Sequence, residues 1–400
     1  MWIAILTTAL LFAAASAVYL VTCFGRFGVV RKLSGGRRWL RILLGTVPLL
    51  GFVVYGLFDT VNSVIILLHL AAAFLVADLI TMIVRRIRCR KKDANTANDN
   101  DSTTVEQKSG GNNRIYYAGI AAILLCAVYL MIGWYLAHHV FRTQYTIETA
   151  KNLPDGKLRV ALIADSHIGT TFDGEEFGTY IDRISGENPG ILVVVGDFVD
   201  DSTSREDMIA ACAALGRAKT GYGVYFVFGN HDKGYYNNRP FTAEQLREEL
   251  EKNGVTVMED DIMTVTDGAV SFHIIGRRDR DDASRAKRAG VSSGDRAKVS
   301  DLIAAVNPDE YIIILDHQPH DYDEESKAGA DLVLSGHTHG GQLFPLAPVG
   351  YLSGANEQIY GMKKRGDHTV SIVTSGISDW AIDYKTGTFS EYVIIDIRTK

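Results

Sequence analysis

The first 140 residues contain four stretches that are long and apolar enough to cross a bilayer as helices, at residues 3–24, 42–58, 61–84 and 115–137. Inside hydrocarbon every backbone polar group must be paired within the protein, so each such stretch is confined to a helix. The first lacks a basic start and is followed by more spans, which identifies it as a retained helix and not a cleaved signal peptide. Arg26, Arg31, Lys32, Arg37, Arg38 and Arg41 follow the first span, and Arg85, Arg86, Arg88, Arg90, Lys91 and Lys92 follow the third. The turn between spans two and three holds only Asp59. Positively charged loops stay in the cytoplasm, so the N-terminus and everything beyond the fourth span are expected to face outward. Asp78 and His69 lie within the third span, where hydrogen bonds between helices are the expected use of polar side chains. Residues 93–113, polar and without apolar periodicity, are expected to form a disordered cytoplasmic loop.

Charge divides the chain at the same place. Residues 1–140 carry 14 Lys and Arg against 6 Asp and Glu; of 41 basic and 47 acidic residues overall, that leaves 27 and 41 for the remainder. An acidic domain repels phosphate backbones, so no specific nucleic-acid partner is expected. Of the four cysteines, only Cys212 lies beyond the apolar region, which excludes an internal disulfide there. The expected organisation is a transmembrane region at 1–140, a linker at 141–154 and a catalytic domain at 155–400.

Within that last region, short apolar runs alternate with helical stretches: RVALIA, ILVVV, VYFVF, FHII, YIIIL and DLVL. This is an α/β pattern with largely buried strands. Asp165 and His167 follow the first run, Asp197 the second, Asn230 and His231 the third, His317 follows YIIIL, and His337 and His339 follow DLVL. In an open α/β sheet, ligand sites form at the carboxyl ends of the strands, so residues distant in sequence can meet there. Carboxylate, amide oxygen and imidazole together suit hard to borderline divalent ions. Two such ions clamp both oxygens of an in-line displacement at phosphorus and make hydroxide available near neutral pH.

The ordered series ADSHIG, GDFVD, GNHD, LDHQP and GHTHGG resembles the calcineurin-like metallophosphoesterase family across residues 155–396. The resemblance implies a β-sandwich flanked by helices and two divalent ions, manganese first, with zinc, iron, nickel or cobalt as alternatives. It implies Asp165, His167, Asp197 and His339 around one ion and Asp197, Asn230, His317 and His337 around the other, with Asp197 as the bridge. The attacking hydroxide would lie between the ions. It further implies that His231 contacts the substrate phosphate and protonates the leaving oxygen, with Asp200 orienting the ring; a carboxylate partner of that kind favours imidazolium. Asp232 is expected to brace its loop.

The membrane-anchored front and the tail SGISDWAIDYKTGTFSEYVIIDI look similar to bacterial transmembrane members related to lipid and envelope phosphoesterases. Those relatives often carry Pro-x-Arg after the Trp, where this chain has Ile382 to Lys385, so Lys385 is the candidate replacement as a less directional phosphate contact. Arg277, Arg278 and Arg280 are candidates for reading a second phosphate or acidic head group, the alternative being a solvated charged loop with Asp279, Asp281 and Asp282. Trp380 and Phe344 are placed either at the site rim or in the core. The expected activity is hydrolysis of a phosphodiester, pyrophosphate or lipid-linked phosphate at the cell envelope, by a multi-pass protein of the cell membrane. The alternative is a catalytically silent membrane sensor or scaffold that uses the same metal-binding domain.

Overall fold

The computed structural model describes residues 2–96, 115–235, 239–344, 352 and 354–400. Two compact units divide it, Met1–Ile132 and Gly133–Lys400.

The first unit is helical: α1 (Trp2–Phe24), α2 (Gly28–Ser34), α3 (Arg38–Gly56), α4 (Thr60–Thr96) and the start of α5 (Tyr117–His138). Among the described residues, α3, residues Thr60–Arg90 of α4, and α5 are each long and apolar enough to cross a membrane. Leu11–Phe24 and Gly28–Ser34 are bent by 78° and make a fourth span if they count as one. Residues 93–96, assigned to a disordered loop by composition, continue α4 instead, and 97–113 lie outside the described residues. Asp78 accepts hydrogen bonds from Arg26 Nη1 (2.6 Å), the Tyr19 hydroxyl (2.9 Å) and the Tyr116 hydroxyl (3.3 Å), so it does tie helices together. His69 does not: its Nδ1 lies 2.7 Å from Ile65 O of its own helix.

The second unit begins within α5 and continues through β1 (Phe141–Thr149), β2 (Lys157–Ile163), α6 (Gly174–Ser185), β3 (Ile191–Val195), α7 (Arg205–Gly216), β4 (Val224–Val227), α8 (Ala243–Lys252) and β5 (Thr256–Met258). Next come β6 (Asp261–Asp267), β7 (Val270–Gly276), α9 (Asp282–Arg288), α10 (Val299–Ile303), β8 (Tyr311–Leu315), α11 (Tyr322–Ala328) and β9 (Leu332–Ser335). The strands β10 (Gly361–Arg365), β11 (Thr369–Val373) and β12 (Glu391–Thr399) complete it. One six-stranded sheet has the order β1-β12-β2-β3-β4-β5 and the other β10-β11-β9-β8-β7-β6. Each is parallel through its centre: β2, β3, β4 and β5 in the first, β11, β9, β8 and β7 in the second.

The sheets face each other across a core that includes Val160, Leu162, Val193 and Val195 from one and Ile274, Ile313, Leu315 and Leu334 from the other. The intervening residues Ala161, Ile163, Leu192 and Val194 point the opposite way, into a second core with Phe177, Ile181, Ala211 and Leu215 of α6 and α7. Successive side chains alternate faces. Both faces are therefore covered, and this is why these strands read as unbroken apolar runs.

The stretch read as a linker, residues 141–154, instead contains β1, which pairs in parallel with β12 from Phe141↔Glu391 to Thr149↔Thr399. The end of α5 also belongs to this unit, with Ser390 Oγ donating to Ala137 O at 2.6 Å and Lys385 N to Gly133 O at 3.0 Å.

Candidate metal centre

The loops leaving β2, β3 and β4 of one sheet and β8 and β9 of the other meet at one place. Backbone bonds across the strand ends hold them together: Asp165 N donates to Gly196 O (3.0 Å), His167 N to Asp197 O (3.1 Å), and Gly336 N to His317 O (3.0 Å). Two bonds to carboxylates complete the frame. Asp165 Oδ1 accepts from His337 N at 2.9 Å, joining the two sheets, and Asp197 Oδ1 accepts from His231 N at 2.8 Å.

Two groups of side chains result, each with its ligand atoms within 4.8 Å of one another: Asp165, His167 and His339, and Asp197, His317 and His337. His167 Nε2 lies 4.0 Å from Asp197 Oδ2, so Asp197 stands between the groups, and Asp197 Oδ2 is 3.1 Å from His317 Nε2. Five of these residues, Asp165, His167, Asp197, His337 and His339, have positive φ without being glycine. Such backbone costs about 1–2 kcal/mol per residue and persists where function requires it. Glycine is needed beside them: a Cβ on Gly229 would collide with Asp197 Oδ1, and one on Gly336 with Asp165 Oδ2.

The donor set fits divalent ions. His167 Nε2 and Asn230 Oδ1 are buried without a hydrogen-bond partner among the described residues, and His317 Nε2 faces the Asp197 carboxylate at 3.1 Å. A buried polar atom left unpaired costs about 1–3 kcal/mol, and a coordinated cation removes that cost. His317 Nδ1 donates to Val195 O at 2.8 Å, which aims Nε2 at the site, as second-shell bonds of metal-ligating histidines do. In the metal-free chain burial opposes charge on Asp165 and pushes its carboxyl up to about 6. Burial also opposes charge on Asp197, but the neighbouring His317 and His231 outweigh it and hold that carboxyl well below its ordinary range. His317 is correspondingly held well above its ordinary value by Asp197, despite burial.

His231 and Asp200 do not form the expected pair. The Asp200 carboxylate approaches His167, with Oδ2 3.2 Å from Nδ1. The turn that follows fixes it there, because Ser202 N and Oγ both donate to Asp200 Oδ1 and Thr203 Oγ1 reaches back to Ile168 O. Burial lowers the His231 pKa, and Asp197 and Asp200 offset this only in part. The His231 ring packs instead 5.0 Å from that of Trp380, which is 43% exposed and stands at the rim. Asp232 braces the loop: its carboxylate accepts from Phe198 N, Val199 N and Gly229 N at 2.7–3.0 Å.

The expected phosphate contacts are engaged elsewhere. Lys385 is fully buried, with Nζ donating to Ser375 O, Ser378 O and Ser390 Oγ and 3.3 Å from Asp379 Oδ1. Arg277 is also buried; its Nη2 donates to Ala297 O at 2.9 Å and its Nε lies 3.5 Å from Asp260. Arg278 is held by Asp260, Asp282 and Ser293. Asp279 and Asp282 fold inward with the arginines while Asp281 stays partly exposed, so Arg277 and Arg278 are not a free anion site. A different arginine approaches the centre: Arg285 Nη1 donates to Asn230 O at 3.2 Å. It lies in a charged run with no strand end to single it out, and no signal in the sequence distinguishes it from its neighbours.

A family model described as calcineurin-like phosphoesterase matches residues 158–341. An uncharacterized metallophosphoesterase of Aquifex aeolicus is 30% identical over 262 residues, 64% of this chain and 91% of that protein. The chain belongs to the calcineurin-like phosphoesterases. A further relative, a transmembrane protein with metallophosphoesterase domain from Danio rerio, is 28% identical over 295 residues, 73% of this chain and 65% of its own length. The chain spans less than two thirds of the first curated relatives it matches, 65%, 60% and 49% of their lengths. A crystal structure of a calcineurin-like phosphoesterase from Bacillus subtilis aligns with TM-score 0.34 at 15% identity, over 54% of this chain and 88% of that one.

Proposed function

We propose that this calcineurin-like phosphoesterase is a metal-dependent hydrolase of phosphodiesters, pyrophosphates or lipid-linked phosphates, anchored in a membrane by four helices with its catalytic unit outside the cytoplasm. The observation that carries the reaction type is the pair of buried groups, Asp165/His167/His339 and Asp197/His317/His337, with imidazole and amide atoms left unpaired toward the site. One group would hold each ion, Asp197 would serve both, and Asn230 would join the second; the donors suit hard to borderline divalent ions, and manganese is the first choice only because the family resemblance implies it. The ions, when bound, supply positive charge to the phosphoryl oxygens and acidify a water.

The remaining work falls to the chain. His231, placed beside the centre by the bond from its own N–H to Asp197, binds the phosphate and returns a proton to the leaving oxygen. Trp380 offers an apolar face next to that ring, which supports a leaving group with a hydrophobic part. Arg285 adds positive charge on the same side. Membrane placement is supported by the apolar helices and by relatives named as transmembrane proteins, and the outward orientation by the two basic clusters.

The test is hydrolysis of a chromogenic phosphodiester and its monoester counterpart by the full chain in detergent, stripped of metal and then given manganese, beside Asp197→Asn. Turnover restored by metal and lost in the variant is expected. Stoichiometric metal binding without turnover of either ester would favour the sensor or scaffold reading. A C-terminal reporter accessible only from the cytoplasm would overturn the orientation.

A further inference from the structure

The helical unit holds a second polar site, unconnected with the phosphoesterase reading. A cavity of about 690 Å³ is lined by Arg26, Arg31, Asp78, Thr81, Arg85 and Tyr116. Three arginines face one carboxylate, a lining charge of +2. Asp78 lies within the third span, where a charged group is costly and marks a binding site by default, and the three arginines stand at the basic ends of the spans beside it.

The side chains in the cavity differ in what they have left to offer. Asp78 is taken by Arg26, Tyr19 and Tyr116, so its charge is answered. Thr81 gives its hydroxyl to Ala77 O at 2.7 Å. Neither Arg31 nor Arg85 has an ion pair among the described residues, and Arg31 Nε is buried without a hydrogen-bond partner. The lining therefore presents guanidinium donors with no carboxylate left unanswered, which is the chemistry of a phosphate cradle. The walls also include Met82 and Ile115, exposed by 59% and 57%, so an acyl chain can run from the cavity along the helix surface. Basic pockets between membrane helices bind phospholipid head groups in this way.

We propose that Arg31 and Arg85 bind a phosphate-bearing anion in this cavity, the head group of an anionic phospholipid, with the Arg26–Asp78 pair as the rigid floor. The full chain, purified in phosphatidylcholine-doped micelles with or without phosphatidylglycerol, is assayed for retained lipid by native mass spectrometry. Wild-type protein should retain phosphatidylglycerol over phosphatidylcholine. Each arginine near a membrane surface contributes about 1 kcal/mol, so R31Q/R85Q should bind roughly 25-fold more weakly, while R31K/R85K keeps most of the affinity. Displacement of the lipid by inorganic phosphate would support the same site and make free phosphate a second source. Equal retention by wild type and R31Q/R85Q, or equal retention of the two lipids, would overturn the proposal. The exposed Arg85 alone, as R85Q, gives the same test without touching the helix packing.

Discussion

Replacing Lys385 with Met separates two roles for this residue. In the structure its ammonium holds the loop at 375–378 through two carbonyl oxygens, each at 2.9 Å, and lies 3.3 Å from the carboxylate of Asp379, which is 1% exposed and has no other ion-pair partner among the described residues. That loop passes directly behind the centre: Ile377 N donates to Ala164 O at 3.0 Å, and a Cβ on Gly376 would press on Asp165. Breaking a buried ion pair by removing one partner costs about 3–5 kcal/mol. For a unit of this size each kcal/mol lowers Tm by about 2–4 °C, so a drop of roughly 6–20 °C is expected. Adding Asp379→Asn to Lys385→Met should recover part of the loss, since the stranded charge is removed. The assay is thermal unfolding of the full chain in detergent, with KM and kcat on a chromogenic phosphoester measured below the transition. An unchanged Tm together with a raised KM would refute this reasoning and return Lys385 to the phosphate contact that the tail motif implies.

Asp200, whose carboxyl is lowered to about 2 by its contact with His167 in spite of burial, should act on metal affinity: Asp200→Asn is expected to weaken it about 10–100-fold in a calorimetric titration. Unchanged affinity with a displaced acid limb in the kcat profile would place Asp200 on His231 instead. Burial pushes the Asp279 carboxyl up to about 7, so the folded chain keeps this proton while the unfolded chain releases it near pH 4. Stability of the metal-free protein should therefore fall between about pH 4 and 7 and level off above, a loss of at most about 4 kcal/mol. Asp279→Asn should reduce that slope in denaturant midpoints taken at pH 5 and pH 8, leaving the share of Asp165 and Asp232, whose carboxyls burial pushes up to about 6, and parallel curves for the two proteins would contradict it. Gly229→Ala, whose Cβ would collide with Asp197 Oδ1, should lower bound metal per chain by elemental analysis, and full metal content would show that the loop can shift.

The sequence by itself determined that the front of the chain is helical, because four long apolar runs have no other structure available in a bilayer. It also picked out the residues that the fold gathers into two candidate metal-binding groups. Strands buried on both faces announce themselves as unbroken apolar runs, and the residues just past Ile163, Val195, Val227, Leu315 and Ser335 are then the ones that a parallel sheet brings to one edge. What it could not contain is any relation between segments far apart in the chain. The alternately exposed run of β1 looks like a polar linker until β12, some 250 residues later, pairs with it. Lys385, Arg277 and Arg278 look like surface cations because charge is costly to bury. Only the tertiary structure decided that Asp379 and Asp260 would be folded against them to offset that cost. In the same way, the partner of Asp200 was settled by the turn at 200–203, which holds its carboxylate next to His167, a distance in space that spacing along the chain does not encode.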